Sequence, residues 1–302
     1  MGNSGRSTEP TSRTTNHQVA PSKTAKPAVA SRVKSIVGKA SQLWPSVQIL
    51  ECLPMFAPNS AGATNERAQL TIQAANQIFP LILELLARTG TKIESPTPIE
   101  KYVDTTEKQA AALRLKELFD QHGSDKGNAQ HRYHLLYGVL LASKDASALL
   151  EVGLGTNNVN VVSHMSSHGR PGASLRAFRD YLPGAQIYGA DVDRGILFDE
   201  ERISTFFVDQ TDLDSFSTLS AAVPAELDLI IDDGLHSPNA NLATLVFALN
   251  RLKVNGHFVV EDIRPEALPI WQLVSAALLP SDYESDVIAT ENQLLFLVRR
   301  LK

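Results

Sequence analysis

The chain has 302 residues, of which 43% are hydrophobic and 20% charged, with a formal net charge of −5. The first 50 residues carry a net charge of +6 and the remainder −11, and this acidic body argues against nucleic acid as the main partner. A single cysteine, Cys52, excludes an intramolecular disulfide and indicates a reducing, cytoplasmic location. No uninterrupted apolar run approaches the roughly 20 residues of a membrane span, so no membrane partner is expected.

The N-terminal region divides into a polar tail and a helical segment. Residues 1–44 are rich in Ser, Thr, Pro, Lys and Ala, which predicts a disordered tail; the same composition fits a transit peptide. Residues 45–104 are predicted to form a helical auxiliary region, in which Pro80 should kink or divide the longest helix. This region could be an additional layer, a homo-oligomerisation face or a lid over an active site.

Residues 105–302 show strands alternating with helices. Strands are predicted to begin at Ala148, Gln186, Ile203, Leu227 and His257, with helices at 173–181, 213–222, 238–252 and 265–279. Segments 283–290 and 293–300 are separated by two residues, which predicts an antiparallel hairpin. The pattern predicts an α/β fold: a doubly wound, mostly parallel, Rossmann-like sheet of seven strands with an N-terminal helical extension.

The first of these strands leads into a glycine turn, Leu-Glu-Val-Gly-Leu-Gly at 150–155. Gly153 and Gly155 allow the backbone to approach a ligand closely, as in any nucleotide-binding α/β fold. A nicotinamide-dependent oxidoreductase would have a third glycine at position 158, where this chain has Asn. Glu151 would repel a pyrophosphate and suits an ammonium-bearing cofactor better.

Carboxylates follow the next two strands, at the sheet edge where ligands bind in such folds. Asp191 is interpreted as the acceptor for a ribose diol, and Asp209 with Gln210 as contacts to an adenine edge. The structural alternative for Asp191 and Asp209 is a role as helix caps.

The sharpest predicted site combines the last two parallel strands. Asp233, Glu261 and Asp262 offer the hard oxygen ligands that Mg²⁺ prefers, and His236 would be a general base beside them. The alternative is that Asp233 caps the next helix and His236 is an exposed loop residue. His164 and His168, in the long loop 156–171, either line a substrate pocket or are solvated.

In order along the chain, these motifs resemble class I S-adenosylmethionine-dependent methyltransferases. The likeness is to the Mg²⁺-dependent O-methyltransferases of macrolide sugars, which are related to the cephalosporin-hydroxylase-like group. It is carried by Gly-Ser-Asp-Lys-Gly (123–127), Leu-Glu-Val-Gly-Leu-Gly (150–155), Gly-Ala-Ser-Leu-Arg (172–176), Tyr-Gly-Ala-Asp (188–191), Asp-Gln (209–210), Asp-Asp-Gly-Leu-His (232–236) and Val-Glu-Asp (260–262).

The resemblance implies methyl transfer from S-adenosylmethionine to a hydroxyl of a small-molecule substrate, of sugar or natural-product type. It implies that Glu151, Gly153, Gly155 and Lys126 lie near the methionine part of the cofactor and that Asp232 faces it. It further implies Asp191 on the ribose, Asp209 and Gln210 at the adenine, Mg²⁺ on Asp233, Glu261 and Asp262, and His236 as base. A nicotinamide-dependent oxidoreductase and a non-catalytic protein with a degenerate methyltransferase fold are the alternatives.

Overall fold

The computed structural model describes Ile49 and residues 64–302, apart from residues 144, 166, 168 and 279. The predicted tail at 1–44 lies outside the described residues. The chain divides into two compact units, Met1–Ala75 and Asn76–Lys302. The boundaries predicted at residues 44 and 104 stay predictions.

The first described helix, α1 (Thr64–Arg88), runs through Pro80 without interruption. Of the two outcomes expected for this proline, division of the helix is therefore wrong. Gly90, with φ +92°, follows the end of the helix in the left-handed conformation that glycine adopts readily. By length and composition alone, Asn65–Arg88 could cross a membrane. This helix contains charged residues, so it is not an uninterrupted apolar run and was not recognised in the sequence as a possible span. The absence of a membrane partner stays a prediction.

Within the described residues, one sheet contains nine strands. Seven have five or more residues: β2 (Ala148–Val152), β3 (Gln186–Asp191), β5 (Ile203–Phe207), β6 (Leu227–Asp232), β7 (Leu252–Ile263), β8 (Tyr283–Ala289) and β9 (Leu294–Arg300). Two-residue strands, β1 (Thr97–Pro98) and β4 (Asp199–Glu200), lie at the edges. The strand order is β1-β8-β9-β7-β6-β2-β3-β5-β4. The predicted mostly parallel sheet is confirmed, and its seven longer strands match the predicted number, while the two short edge strands were not predicted.

The sheet is parallel from β7 through β5, and β9 runs antiparallel to both of its neighbours, β7 and β8. The predicted hairpin is confirmed, with Ala289 of β8 paired with Leu294 of β9. Chain order proceeds from β2 through β3 to β5 on one side and resumes with β6 and β7 on the other. The order therefore reverses between β2 and β6, and a ligand crevice is expected at the carboxyl ends of these strands.

In the part of the chain that the structure describes, six further α-helices cover the two faces of the sheet: α2 (Thr106–His122), α3 (His134–Leu140), α4 (Ala173–Tyr181), α5 (Leu213–Ala222), α6 (Pro238–Leu249) and α7 (Leu268–Ala277). One apolar cluster joins Phe119, Tyr137 and Phe178 of α2–α4 to the sheet, and another contains residues of α5–α7. Leu149 belongs to the first cluster and Leu150 to the second. This alternation places β2 in the core of a three-layer α/β/α domain.

Candidate active site

A cavity of about 740 Å³ opens at the carboxyl ends of the parallel strands, where the strand order reverses. Its volume falls within the range of small-molecule and cofactor sites. Strand ends and loops contribute to its wall: 123–126 before α3, 152–155 at the end of β2, 191–192 at the end of β3, 208–211 after β5, 233–236 after β6, Asp262 of β7, the loop residues 160–165, and residues 169–170 and 173–174 around the start of α4.

The glycine turn after β2 is packed against the chain that leaves β6. Gly153 has φ +98°, and a Cβ built there would lie 2.0 Å from the backbone oxygen of Asp233. Gly155 has φ +74°, and its Cβ would collide with the side chain of Met165. Both glycines line the cavity. The sequence predicted a close approach to a ligand, and the structure adds a close approach between two segments of the protein.

A buried lysine lies at the base of this site. Lys126 is 2% exposed, and its Nζ lies 2.5 Å from Asp233 Oδ2, 2.5 Å from Glu261 Oε2 and 3.1 Å from Glu151 Oε1. The loop that carries Lys126 follows α2, which ends at Gly123 in the left-handed conformation. The lysine therefore joins three strand ends that are far apart in sequence.

The charges around Lys126 are unequal, since three carboxylates face one ammonium group. Burial lowers the pKa of Lys126, but the charges of Asp233, Glu261 and Glu151 outweigh this effect and raise its pKa well above the usual value. Burial also raises the pKa of Glu261 and of Glu151, against the opposing charge of Lys126. The ammonium group is thus held charged in a site with surplus negative charge, which is an environment that favours a further cation or a retained proton.

Two tyrosines, one just before α3 and one within it, complete the base of the site. Tyr137 donates a hydrogen bond to Glu261 Oε1, and Tyr133 donates one to Asp262 Oδ1. Sequence reasoning did not identify either tyrosine. Their four-residue spacing was a usable signal, because it places both on one face of a helix that follows the Lys126 loop.

In the described part of the chain, one cluster of three side chains could hold a metal ion: Asp233, His236 and Asp262. One ligand atom from each lies within 4.8 Å of the others. His236 Nε2 lies 3.7 Å from Asp262 Oδ2 and 3.9 Å from Asp233 Oδ1, which is too long for hydrogen bonds. His236 and Asp262 have φ values of +54° and +56°. Such backbone conformations are uncommon outside glycine and concentrate at functional sites.

Some of the predicted cofactor residues line the cavity, and others are buried behind its wall. Asp191, Asp209, Gly153, Gly155 and Lys126 line the cavity. Glu151 and Asp232 are fully buried and lie outside its wall. Glu151 accepts a hydrogen bond of 2.5 Å from Ser174 Oγ in addition to its ion pair with Lys126.

Asp191 is fixed by the backbone of the turns beside it. Its Oδ2 accepts a hydrogen bond from the N–H of Leu154 at 2.7 Å, and its Oδ1 accepts one from Asp193 at 2.8 Å. Burial raises its pKa, against these hydrogen bonds. Asp209 Oδ1 accepts hydrogen bonds from the backbone N–H and the hydroxyl of Thr211. The helix-cap alternative is not the observed arrangement for Asp209, since Asp212 caps α5.

Gln210 contributes to the cavity wall, but its amide is engaged by the protein. Nε2 donates to Asp232 Oδ1 at 2.8 Å and to Thr244 Oγ1 at 2.7 Å, and Oε1 accepts from the N–H of Leu235 at 2.8 Å. Its predicted contact with an adenine stays a prediction.

Sequence reasoning missed the apolar wall of the cavity. The loop residues Val161, Val162 and Met165 contribute to it, with Val192, Val208 and Leu235 from the strand ends. Of the two loop histidines, His164 lines the cavity and His168 lies outside the described residues. These side chains carry no motif, and their convergence depends on the path of the loop.

No family model matches the chain. It is 32% identical over 155 residues to 8-demethyl-8-alpha-L-rhamnosyl tetracenomycin-C 2'-O-methyltransferase of Streptomyces olivaceus. It is 36% identical over 93 residues to mycinamicin VI 2''-O-methyltransferase of Micromonospora griseorubida. The first match covers 50% of this chain and 38% of the relative, and the second covers 30% and 23%. The chain thus spans well under half the length of these curated relatives.

Among solved structures, the chain resembles the MycE methyltransferase of the mycinamycin biosynthetic pathway, determined in complex with Mg and SAH. The TM-score is 0.50 at 20% identity, covering 63% of this chain and 55% of that chain. This likeness confirms the predicted Rossmann-like methyltransferase fold. The sequence similarities confirm the resemblance to sugar O-methyltransferases drawn from the motifs.

Proposed function

We propose that the protein transfers a methyl group from S-adenosylmethionine to a sugar hydroxyl of a glycosylated natural product. The observation that carries this proposal is the placement of the Asp233–His236–Asp262 cluster on the same 740 Å³ cavity as Gly153, Gly155 and Asp191. A cofactor seat and a group able to activate a hydroxyl therefore face one space. The two curated relatives, whose names describe 2'- and 2''-O-methyltransferases, support the choice of a sugar acceptor.

In this proposal, the cofactor lies along the strand ends on the β2–β3–β5 side. Asp191 accepts hydrogen bonds from the ribose hydroxyls. Asp209 lies at the adenine end, where Val208 and Thr211 also line the cavity. The turn at Gly153–Gly155 gives the methionine part close access to the backbone. Glu151 and Lys126 lie beneath that turn and set the charge there.

The cluster fits a divalent cation of the Mg²⁺ type. Asp233 and Asp262 would hold it through carboxylate oxygens, in a site with surplus negative charge. A bound Mg²⁺ supplies Lewis acidity that lowers the pKa of an acceptor hydroxyl and helps to orient it. Both oxygens of Glu261 are engaged, by Lys126 and Tyr137. Its predicted role as a third ligand stays a prediction.

His236 is assigned the role of general base. Its Nε2 stands beyond hydrogen-bond distance from both carboxylates of the cluster, and the residue lines the cavity. The nitrogen would take the proton of the acceptor hydroxyl. The hydroxyl oxygen would bond to the methyl carbon in line as the bond from that carbon to the sulfonium sulfur breaks and S-adenosylhomocysteine leaves. Holding the two reactants in this orientation supplies much of the rate.

The test is an assay of the full chain with S-adenosylmethionine, Mg²⁺ and a panel of deoxyhexose glycosides, with products followed by mass spectrometry. We expect a singly methylated product, loss of turnover in EDTA and recovery when Mg²⁺ is added. His236→Ala should lower kcat by ~10²–10⁴ without weakening SAH binding. His122→Ala is the control, because that histidine pairs with Asp180 away from the cavity wall.

A different result would contradict each part of the proposal. Undiminished turnover in EDTA would remove the metal, and a near-normal rate in His236→Ala would remove the base. Binding of NADH in place of SAH would favour an oxidoreductase. SAH binding with no methylated product across the panel would favour a non-catalytic protein with this fold.

A further inference from the structure

Gln210 lies between the adenine end of the proposed cofactor seat and the turn that carries the metal cluster. It follows Asp209 after β5, while Asp233 and His236 follow β6. Its side chain is 7% exposed. A side chain in this position could contact the cofactor or support the neighbouring turn, and these two roles have different consequences.

The hydrogen bonds of Gln210 reach both ends of the turn. Nε2 donates to Asp232 Oδ1, just before the turn, and Oε1 accepts from the N–H of Leu235, just before His236. The remaining contact is with Thr244 Oγ1 on α6. One amide therefore ties the end of β6 and the second half of the turn to the same point.

The turn also packs directly onto this amide. A Cβ built at Gly234 would lie 2.1 Å from Gln210 Oε1 and 2.8 Å from its Cδ. The backbone can approach so closely only because position 234 has no side chain. The approach aligns the Leu235 N–H with its acceptor.

The turn needs such support because His236 has φ +54°. A non-glycine residue in the left-handed region persists when the surrounding structure determines its conformation. Asp233, in the same turn, gives one oxygen to Lys126 and belongs to the cluster with His236 and Asp262. Movement of this turn would change the separation of the cluster's ligand atoms.

We propose that Gln210 is a positioning residue that holds the Asp233–His236 turn in the geometry of the metal cluster, rather than a contact to the adenine. This inference rests on the proposed function, since it concerns the cluster used there. It predicts that loss of the amide disturbs metal binding and turnover while leaving cofactor affinity nearly intact.

The experiment compares Gln210→Met with Thr244→Val in the full chain. Methionine keeps the length of the side chain and loses every hydrogen bond to the turn. Thr244→Val removes the hydrogen bond between Thr244 and the Gln210 amide, and it leaves the hydrogen bonds of Gln210 with Asp232 and Leu235 in place. Mn²⁺ affinity by electron paramagnetic resonance, SAH affinity by calorimetry, kcat and thermal unfolding are measured for both variants.

For Gln210→Met we expect Mn²⁺ affinity and kcat to fall at least about 10-fold, with SAH affinity within about 3-fold of wild type. Thr244→Val should retain wild-type Mn²⁺ affinity. A 10-fold loss of SAH affinity with unchanged Mn²⁺ binding would assign Gln210 to the adenine and overturn the inference. Equal losses in the two variants would also overturn it, because they would reflect stability alone.

If Gln210→Met does not fold, Gly234→Ala tests the same contact from the other side. The added methyl group would displace Gln210 Oε1. Gly234 does not have a positive φ, so alanine would not strain the backbone there. The same pattern of Mn²⁺ and SAH affinities is expected, and unchanged Mn²⁺ binding would overturn the inference. Wild-type protein that binds neither Mn²⁺ nor SAH would instead refute the proposed function.

Discussion

A single lysine side chain accounts for much of the electrostatics of the site. Lys126 is surrounded by Glu151, Asp233 and Glu261, which the strand ends bring together although they lie far apart in the chain. The sequence predicted each of these residues as a site residue, because each lies in a recognisable motif. It did not predict that the lysine would pair with all three, since those contacts depend on how the loop after α2 packs.

The role of Glu261 is the point at which the motif and the geometry differ. Burial raises the pKa of Glu261, while its carboxylate pairs with Lys126 and accepts a hydrogen bond from Tyr137. We expect Glu261→Gln to lower the free energy of unfolding by about 1.5–3 kcal/mol, because it removes one charged partner of the buried Lys126, and to change Mn²⁺ affinity by less than about 3-fold. Asp262→Asn should weaken Mn²⁺ at least about 10-fold, because it removes a charged ligand of the cluster.

Urea denaturation and Mn²⁺ titration of the two variants provide the measurement. Equal weakening of Mn²⁺ binding by Glu261→Gln and Asp262→Asn would show that Glu261 is a ligand, as the family resemblance implies.

Among the elements, the packing of α2 against α3 positions both Lys126 and the two tyrosines. Gly138 on α3 allows this close approach, since a Cβ there would lie 2.4 Å from Ala112 Cα of α2. Such contacts between backbones cannot relax by rotating a side chain. The loop containing Lys126 connects these helices, so their separation sets its position.

We predict that Gly138→Ala lowers the free energy of unfolding by about 1–3 kcal/mol, because it overpacks this helix contact. Gly184→Ala is the matched control, since a Cβ at Gly184 meets nothing within 4 Å. Chemical denaturation of both variants is the measurement. A Gly138→Ala protein as stable as the control would contradict the close α2–α3 contact.

The elements differ in how well the sequence anticipated them. Helix α4 (Ala173–Tyr181) and helix α5 (Leu213–Ala222) have the predicted bounds, because apolar periodicity and flanking residues define them locally. Strand β7 begins at Leu252, five residues before the predicted start at His257. Its first half contains Lys-Val-Asn-Gly at 253–256, which lacks the apolar pattern of the second half, and the register with β6 shifts across this stretch.

For the whole molecule, the reversal of strand order between β2 and β6 explains why chemistry from separate motifs meets in one cavity. Parallel strands place all their carboxyl ends at one edge, so the acids predicted at successive strand ends converge there. This part of the site followed from the sequence. The apolar wall from Val161, Val162 and Met165 did not, because loop paths depend on contacts that no local pattern encodes.

The cavity is proposed to bind S-adenosylmethionine with Asp191 on the ribose. Calorimetric titration of the full chain with SAH and with NADH tests this binding most directly. We predict that SAH binds with one molecule per chain and that NADH does not bind. Asp191→Asn should weaken SAH by about 10–100-fold, which corresponds to the loss of about 1.5–3 kcal/mol from a hydrogen bond to a charged group. NADH binding without SAH binding, or SAH affinity unchanged in Asp191→Asn, would contradict it.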